Sequence, residues 1–344
     1  MVFSHRFRWL SLGLCALLAV GLWYASSWWP HRTRVFAGPV TALAVGDDGI
    51  VYALGSQGKG HFGWTRLSFG LNVQDQHSIS AELLEAAFSP DGRFFTTKEA
   101  DSRKVMQRFY QSASAKLTYE EGVSTSTHFR FSGDSSYVSS VRDFPDAKGR
   151  NFSLRQFDGA KPGRVVLALP QQRITSASFS ADGKTMVLMN VQKGIQKWQL
   201  SPQIALVSED SERISDSPEA ARSIALSPEG NHLSYYDQTD YFYNFDSKSE
   251  SLYPRSFAYC PAKPTPFQYS SGSEFLVVES GACNTYQPGP TLYNPRASYN
   301  AGGYGRLMRV LPEKSLSTAF AFSPDSRFLF VGDANGTITR WKLK

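Results

Sequence analysis

Seven stretches of the chain share one pattern: apolar residues, a short polar turn, then apolar residues again. They read AVGDDGIVY at 44–52, AFSPDGRFF at 87–95, RFSGDSSYV at 130–138, SFSADGKTM at 178–186, ALSPEGNHL at 225–233, QYSSGSEFL at 268–276 and AFSPDSRFL at 321–329. Each pattern predicts two strands joined by a tight hairpin. In Ser89-Pro90-Asp91-Gly92, Pro90 fixes the first central φ of a type I turn, Asp91 suits the second, and Gly92 accepts the left-handed residue that follows. The strand after the turn is often an unbroken apolar run, as in TMVLM at 185–189, EFLVV at 274–278 and RFLFV at 327–331. Such runs imply a strand buried on both faces.

Aligned on Asp48, Asp91, Asp134, Asp182, Glu229, Gly272 and Asp325, the repeats lie 43, 43, 48, 47, 43 and 53 residues apart. A period of about 40–50 residues predicts the four-stranded antiparallel blades of a β-propeller, here all-β and seven-bladed. A second signal is independent of the turns. Trp64, Trp198, Phe245 and Trp341 each fall 16 residues after their turn position, with Phe109 and Phe157 at 18 and 23. Met106, Leu154, Ile195, Phe242 and Ile338 sit three positions before the aromatic in five blades. The aromatic is expected to close each third strand by packing on a neighbour. The chain stops after the third strand of the last repeat, and Thr33-Arg34-Val35-Phe36 belongs to no repeat. That segment is expected to supply the missing outer strand of blade seven and close the ring.

These turns and aromatics resemble the WD-repeat-like propeller families, including the Tol-type repeats with their Ser-Pro-Asp-Gly turn, over residues 31–344. The resemblance implies a propeller and departs from the pattern in detail. Trp-Asp becomes Trp198-Gln199 and Trp341-Lys342, surviving as Phe157-Asp158 and Phe245-Asp246, and Gly60-His61 is the one Gly-His dipeptide near a repeat. Blade packing is therefore expected to rest on apolar burial.

The N-terminus differs in composition. Trp9 to Trp29 is free of charge, and as a helix would span about 31 Å, the depth of a bilayer's hydrocarbon core. Trp23, Tyr24, Trp28 and Trp29 cluster at its far end, where aromatic rings favour the lipid–water boundary. Residues 1–30 are read as a cytoplasmic stub and transmembrane signal anchor, residues 31–344 as the propeller on the exported, periplasmic or extracellular side. A signal peptide cleaved after Ser27 and a buried globular helix are the competing readings. Arg6 and Arg8 on one flank are matched by Arg32 and Arg34 on the other, so orientation is weakly specified.

Charge excludes little else. The whole chain carries +6, and residues 31–344 hold 34 basic and 30 acidic groups, too balanced for a nucleic-acid footprint. Six histidines, at 5, 31, 61, 77, 128 and 232, lack metal-ligand spacing, so no metal is expected. Neither a nucleophile elbow nor a phosphate loop occurs, and Gly55–Gly60 reads as a hairpin turn. No catalytic residue and no cofactor are assigned; an enzyme or small-ligand site in the central channel is the alternative reading.

Cys260 and Cys283 lie 12 residues before and 11 after Gly272. A hairpin folded there would set them opposite each other, within the ~5.5 Å that a disulfide requires. The bond would add about 3 kcal/mol in an oxidising compartment; two unpaired thiols are the other reading. An insertion at about 284–312 in blade six is rich in Gly, Pro and Asn. Its Tyr286, Tyr293, Arg296, Tyr299, Tyr304, Arg306 and Arg309 are the candidate partner-binding residues, since Tyr and Arg favour interfaces. Packing of these tyrosines on their own blade is the alternative. The stretch 208–220 reads as a solvated connection. The function expected is a membrane-anchored, non-catalytic scaffold that binds a protein partner.

Overall fold

A computed structural model describes residues 30–101, 104–210, 223–236, 241–246, 255–259, 267–279, 289–295, 306–313 and 315–344. The regular elements among them are strands, gathered into seven four-stranded antiparallel sheets. Blade one comprises Val40–Val45, Val51–Gly58, His61–Leu67 and Val73–Ile79; blade two Glu82–Phe88, Phe94–Asp101, Lys104–Gln111 and Lys116–Val123. Blade three holds Thr127–Phe131, Tyr137–Arg142, Arg150–Phe157 and Pro162–Pro170; blade four Ile174–Phe179, Thr185–Asn190, Gly194–Gln199 and Ala205–Asp210. Blade five is Ser223–Leu226, His232–Tyr236, Tyr241–Asp246 and Arg255–Tyr259; blade six Phe267–Tyr269, Leu276–Glu279, Pro290–Asn294 and Arg306–Val310. Blade seven takes Ser317–Phe322, Phe328–Asp333 and Thr337–Lys342 from the end of the chain and His31–Arg34 from its beginning.

First strands touch first strands around a closed circuit, with blade seven returning to blade one. The sheets are thus blades of a β-propeller. Apolar burial lies between them: seven clusters of buried side chains occupy the interfaces. At the closing interface Phe36, Val40 and Leu43 pack with Ala319, Phe330 and Ile338. The closing strand starts two residues earlier than the apolar pattern indicates. His31 faces Arg340 and Arg34 faces Thr337, while Phe36 leaves the strand and enters the core between blades seven and one. Ser208–Asp210, expected in a connection, instead complete the fourth strand of blade four.

In four of the turns a serine ties the hairpin as much as the Asp does. Ser89 Oγ donates to Asp91 Oδ1 at 2.6 Å and accepts from Phe94 N at 2.9 Å, while Asp91 Oδ1 also accepts from Arg93 N. Ser132, Ser180 and Ser323 repeat this arrangement. The residue after the turn position is left-handed, whether Gly92 (φ 69), Gly183 (φ 66), Ser135 (φ 59) or Ser326 (φ 55).

Antiparallel connectivity sorts the loops. Each blade's first and third connections share one edge of the ring, here termed the turn face; the second connection and the passage to the next blade share the other, the loop face.

Candidate functional site

The inner strands enclose a channel of about 500 Å³, with lining contributed by all seven blades. Its wall is built from Leu43, Val45, Phe88, Phe131, Ala177, Phe179, Ile224, Leu226, Tyr269, Phe322 and small neighbours, and Asp47 and Arg130 are its charged members. No pair of carboxylates converges there, and among the described residues no group of three His, Cys, Asp or Glu could hold a metal ion. Ser89, Ser178, Gln268 and Ser271 are its neutral polar members, and a wall with two charges on non-adjacent blades offers no converged acid–base pair.

The charged network beside the channel joins blade two to blade three. Lys98 is 4% exposed, and its ammonium donates to Thr125 O at 2.7 Å and Thr127 O at 2.8 Å and lies 3.1 Å from a Glu85 oxygen. Three oxygens surround it, so the side chain is committed to bracing the two blades. Glu85 also meets His128 Nδ1 at 3.0 Å and Arg130 at 3.3 Å. Burial pushes its carboxyl up, but the His128 hydrogen bond and the charges of Arg130, His128 and Lys98 outweigh that and hold it down at about 2. A carboxylate so firmly ionised is a brace, not an acid catalyst. Glu99, 1% exposed, is closed off in the same way by Thr97, Arg108 and Tyr110.

The surface feature that stands out lies on the loop face of blade three. Asp143–Gly149 joins Tyr137–Arg142 to Arg150–Phe157, and Phe144 at its crest is 76% exposed. The loop is fixed around Asp146. Its Oδ1 accepts from Lys148 N at 2.8 Å and Arg150 N at 3.0 Å, and its Oδ2 accepts from Arg150 NH2 at 2.8 Å. Backbone bonds Gly149 N to Asp146 O and Gln171 N to Gly149 O complete the frame. The Arg150 side chain and these amides hold Asp146 well below the usual carboxylate range. A large aromatic on a pre-formed loop has the properties of an interface anchor.

The blade-six candidates scatter. Pro290–Asn294 and Arg306–Val310 are strands of one blade, so the segment is not a single loop: Tyr286 precedes the third strand, and Arg296, Tyr299 and Tyr304 follow it. Those four residues lie outside the described residues. Tyr293 sits in the third strand opposite Leu276 and packs against the cluster of Tyr269, Leu276 and Val278, which Ala225 of blade five also meets. It therefore occupies the place that Trp341 holds opposite Leu329 and Trp198 opposite Met186. Arg309, on the outer strand, lies 5.5 Å over the Trp341 ring. Arg306 opens that strand opposite Asn294. Cys260 and Cys283 also lie outside the described residues, after the last strand of blade five and between the second and third of blade six.

Sequence reading passed over Phe144. The signal was present, a Phe between Asp143 and Pro145 in a stretch too polar for strand, but a single aromatic has no periodicity to mark it.

Residues 305–342 match the family described as WD domain, G-beta repeat. The matched unit begins with the outer strand of blade six and ends with the third of blade seven, the one-strand stagger by which His31–Arg34 completes the ring. No curated protein matches the chain. The match and the ring together support a WD-repeat-like propeller, a fold that commonly serves as a protein-interaction scaffold.

Proposed function

We propose that the chain is a non-catalytic, seven-bladed propeller, anchored in a membrane by residues 9–29, with its N-terminus cytoplasmic, that binds a protein partner on the exported side. The observation carrying this reading is the pairing of a channel that has only two charged side chains in its wall with a rigid loop that holds Phe144 out to solvent. The ring supplies a stiff platform, so little ordering free energy is lost on docking. Among the described residues no helix is long and apolar enough to cross a membrane, and the anchor segment lies outside them. Its support is the 21-residue uncharged run and the aromatic group that ends it. Tyr286, Arg296, Tyr299, Tyr304, Arg306 and Arg309 are candidate contacts in addition to Phe144; Tyr293 packs between blades five and six.

The test is purification of the full chain from detergent-solubilised membranes, with bound proteins identified by mass spectrometry. A partner at near-equal amount is expected with the wild type and at least tenfold less of it with Phe144→Ala, at unchanged melting temperature. Recovery of the chain without any stoichiometric protein, or equal recovery with Phe144→Ala and Tyr299→Ala combined, contradicts the reading.

A further inference from the structure

We infer that the ring lies with its turn face toward the bilayer, leaving the loop face and Phe144 free for the partner. This rests on the anchor proposed above. The uncharged run ends at Trp29 and the closing strand begins at His31, so Pro30 alone separates them. One residue spans about 3.5 Å, which leaves no room for a flexible linker. The direction of the closing strand then sets the polarity. His31 pairs with Arg340, two residues from Lys342, which faces Phe328 just beyond the Ser323–Ser326 turn. Arg34 pairs with Thr337, beside the Asp333–Gly336 connection on the opposite edge. The chain therefore enters the ring at the turn face and runs away from it. At the point of entry His31 faces Arg340 across the strands, Lys344 meets Glu274, and Arg327 lies 4.0 Å from Asp325 in the turn.

The two faces are about 20 Å apart, the length of a six-residue strand. Lys184 on the turn face of blade four and Lys148 on the loop face of blade three are both exposed, in adjacent blades. The full chain, carrying an azide-bearing amino acid labelled with a fluorescent donor at 184 or 148, is reconstituted into phosphatidylcholine–phosphatidylglycerol vesicles holding an acceptor lipid. Energy transfer severalfold higher from 184 than from 148 is expected. Equal transfer, or greater transfer from 148, overturns the orientation. Flotation in alkaline carbonate keeps the premise separate: a chain that fails to float with the vesicles refutes the anchor, whereas one that floats without the transfer difference refutes the orientation alone.

Discussion

Trp64 and Trp341 each lie 16 residues after their turn position, yet they face opposite ways. In blade seven the turn closes with Ser323 N donating to Phe328 O, spanning five residues; in blade one it closes with Gly46 N donating to Ile50 O, spanning four. The missing residue shifts the following strand by one, and a shift of one sends side chains to the other face. Trp341, opposite Leu329, packs toward blade six with Phe275 and Leu292. Trp64, opposite Leu54, packs toward blade two with Phe95 and Tyr110, and Leu67 opposite Val51 takes the place facing blade seven. Equal spacing along a repeat is equal position only where the turns are equally long.

The comparison breaks most severely at the interface between these two blades. Deleting residues 31–37 removes blade seven's outer strand and Phe36, which lies between blades seven and one, and opens the ring. Loss of cooperative thermal unfolding is expected in calorimetry; an unchanged transition would mean that the strand closes nothing. Next in size is the contrast between the tryptophans themselves. Trp341 Nε1 donates to the buried Glu313 at 2.6 Å, whereas Trp64 Nε1 has no partner. Trp341→Phe therefore strips a hydrogen bond from a buried carboxylate, at about 2–3 kcal/mol. Trp64→Phe loses packing but also removes a buried N–H that has no acceptor, for a net cost of about 1 kcal/mol or less. Urea unfolding of the two variants measures the gap, and equal losses would show that the Glu313 bond contributes nothing.

The turns give smaller differences. Ser323→Ala removes a hydroxyl that blade one, with Gly46 there, never had, and should cost about 1 kcal/mol at pH 7. The Ser323 hydroxyl, then the Arg327 amide, hold Asp325 below the usual carboxylate range. A depressed folded value means stability present above the ordinary Asp range and lost as pH falls through the depressed one. The Ser323→Ala penalty should shrink in acid without vanishing, since Phe328 N still loses its acceptor. Opposite in sign is Ser135→Gly. Ser135 sits at φ 59 with its buried hydroxyl unpartnered, where blade one has Gly49 at φ 74. Glycine there should raise stability by about 1 kcal/mol, read as a higher melting temperature.

Much of this ring was legible because the information repeats. Seven turns at similar spacing fix where first and second strands meet, and buried aromatics mark the third strands at Trp64, Phe109, Phe157, Trp198 and Trp341. What a sequence cannot display is which face a side chain takes after a one-residue change in a turn, as with Trp64. Nor does it display pairings between blades, such as Lys98 with Thr125 and Thr127, whose partners lie 27 and 29 residues away with no pattern linking them. The site was hardest for the same reason. Tyrosines grouped in sequence around 286–304 are divided by a strand, while Phe144 stands alone and is exposed by the fold rather than by its neighbours.

Closure of the ring by its first strand is tested most directly by hydrogen exchange in the intact chain. The ladder-bonded amides within His31–Arg34, and those of Val35 and Phe36 that donate to Gly336 O, should exchange as slowly as those of Thr337–Arg340, against which the strand is paired, and both should be released together at global unfolding. Exchange of those His31–Phe36 amides at the rate of an unpaired segment, with Thr337–Arg340 still protected, would contradict it.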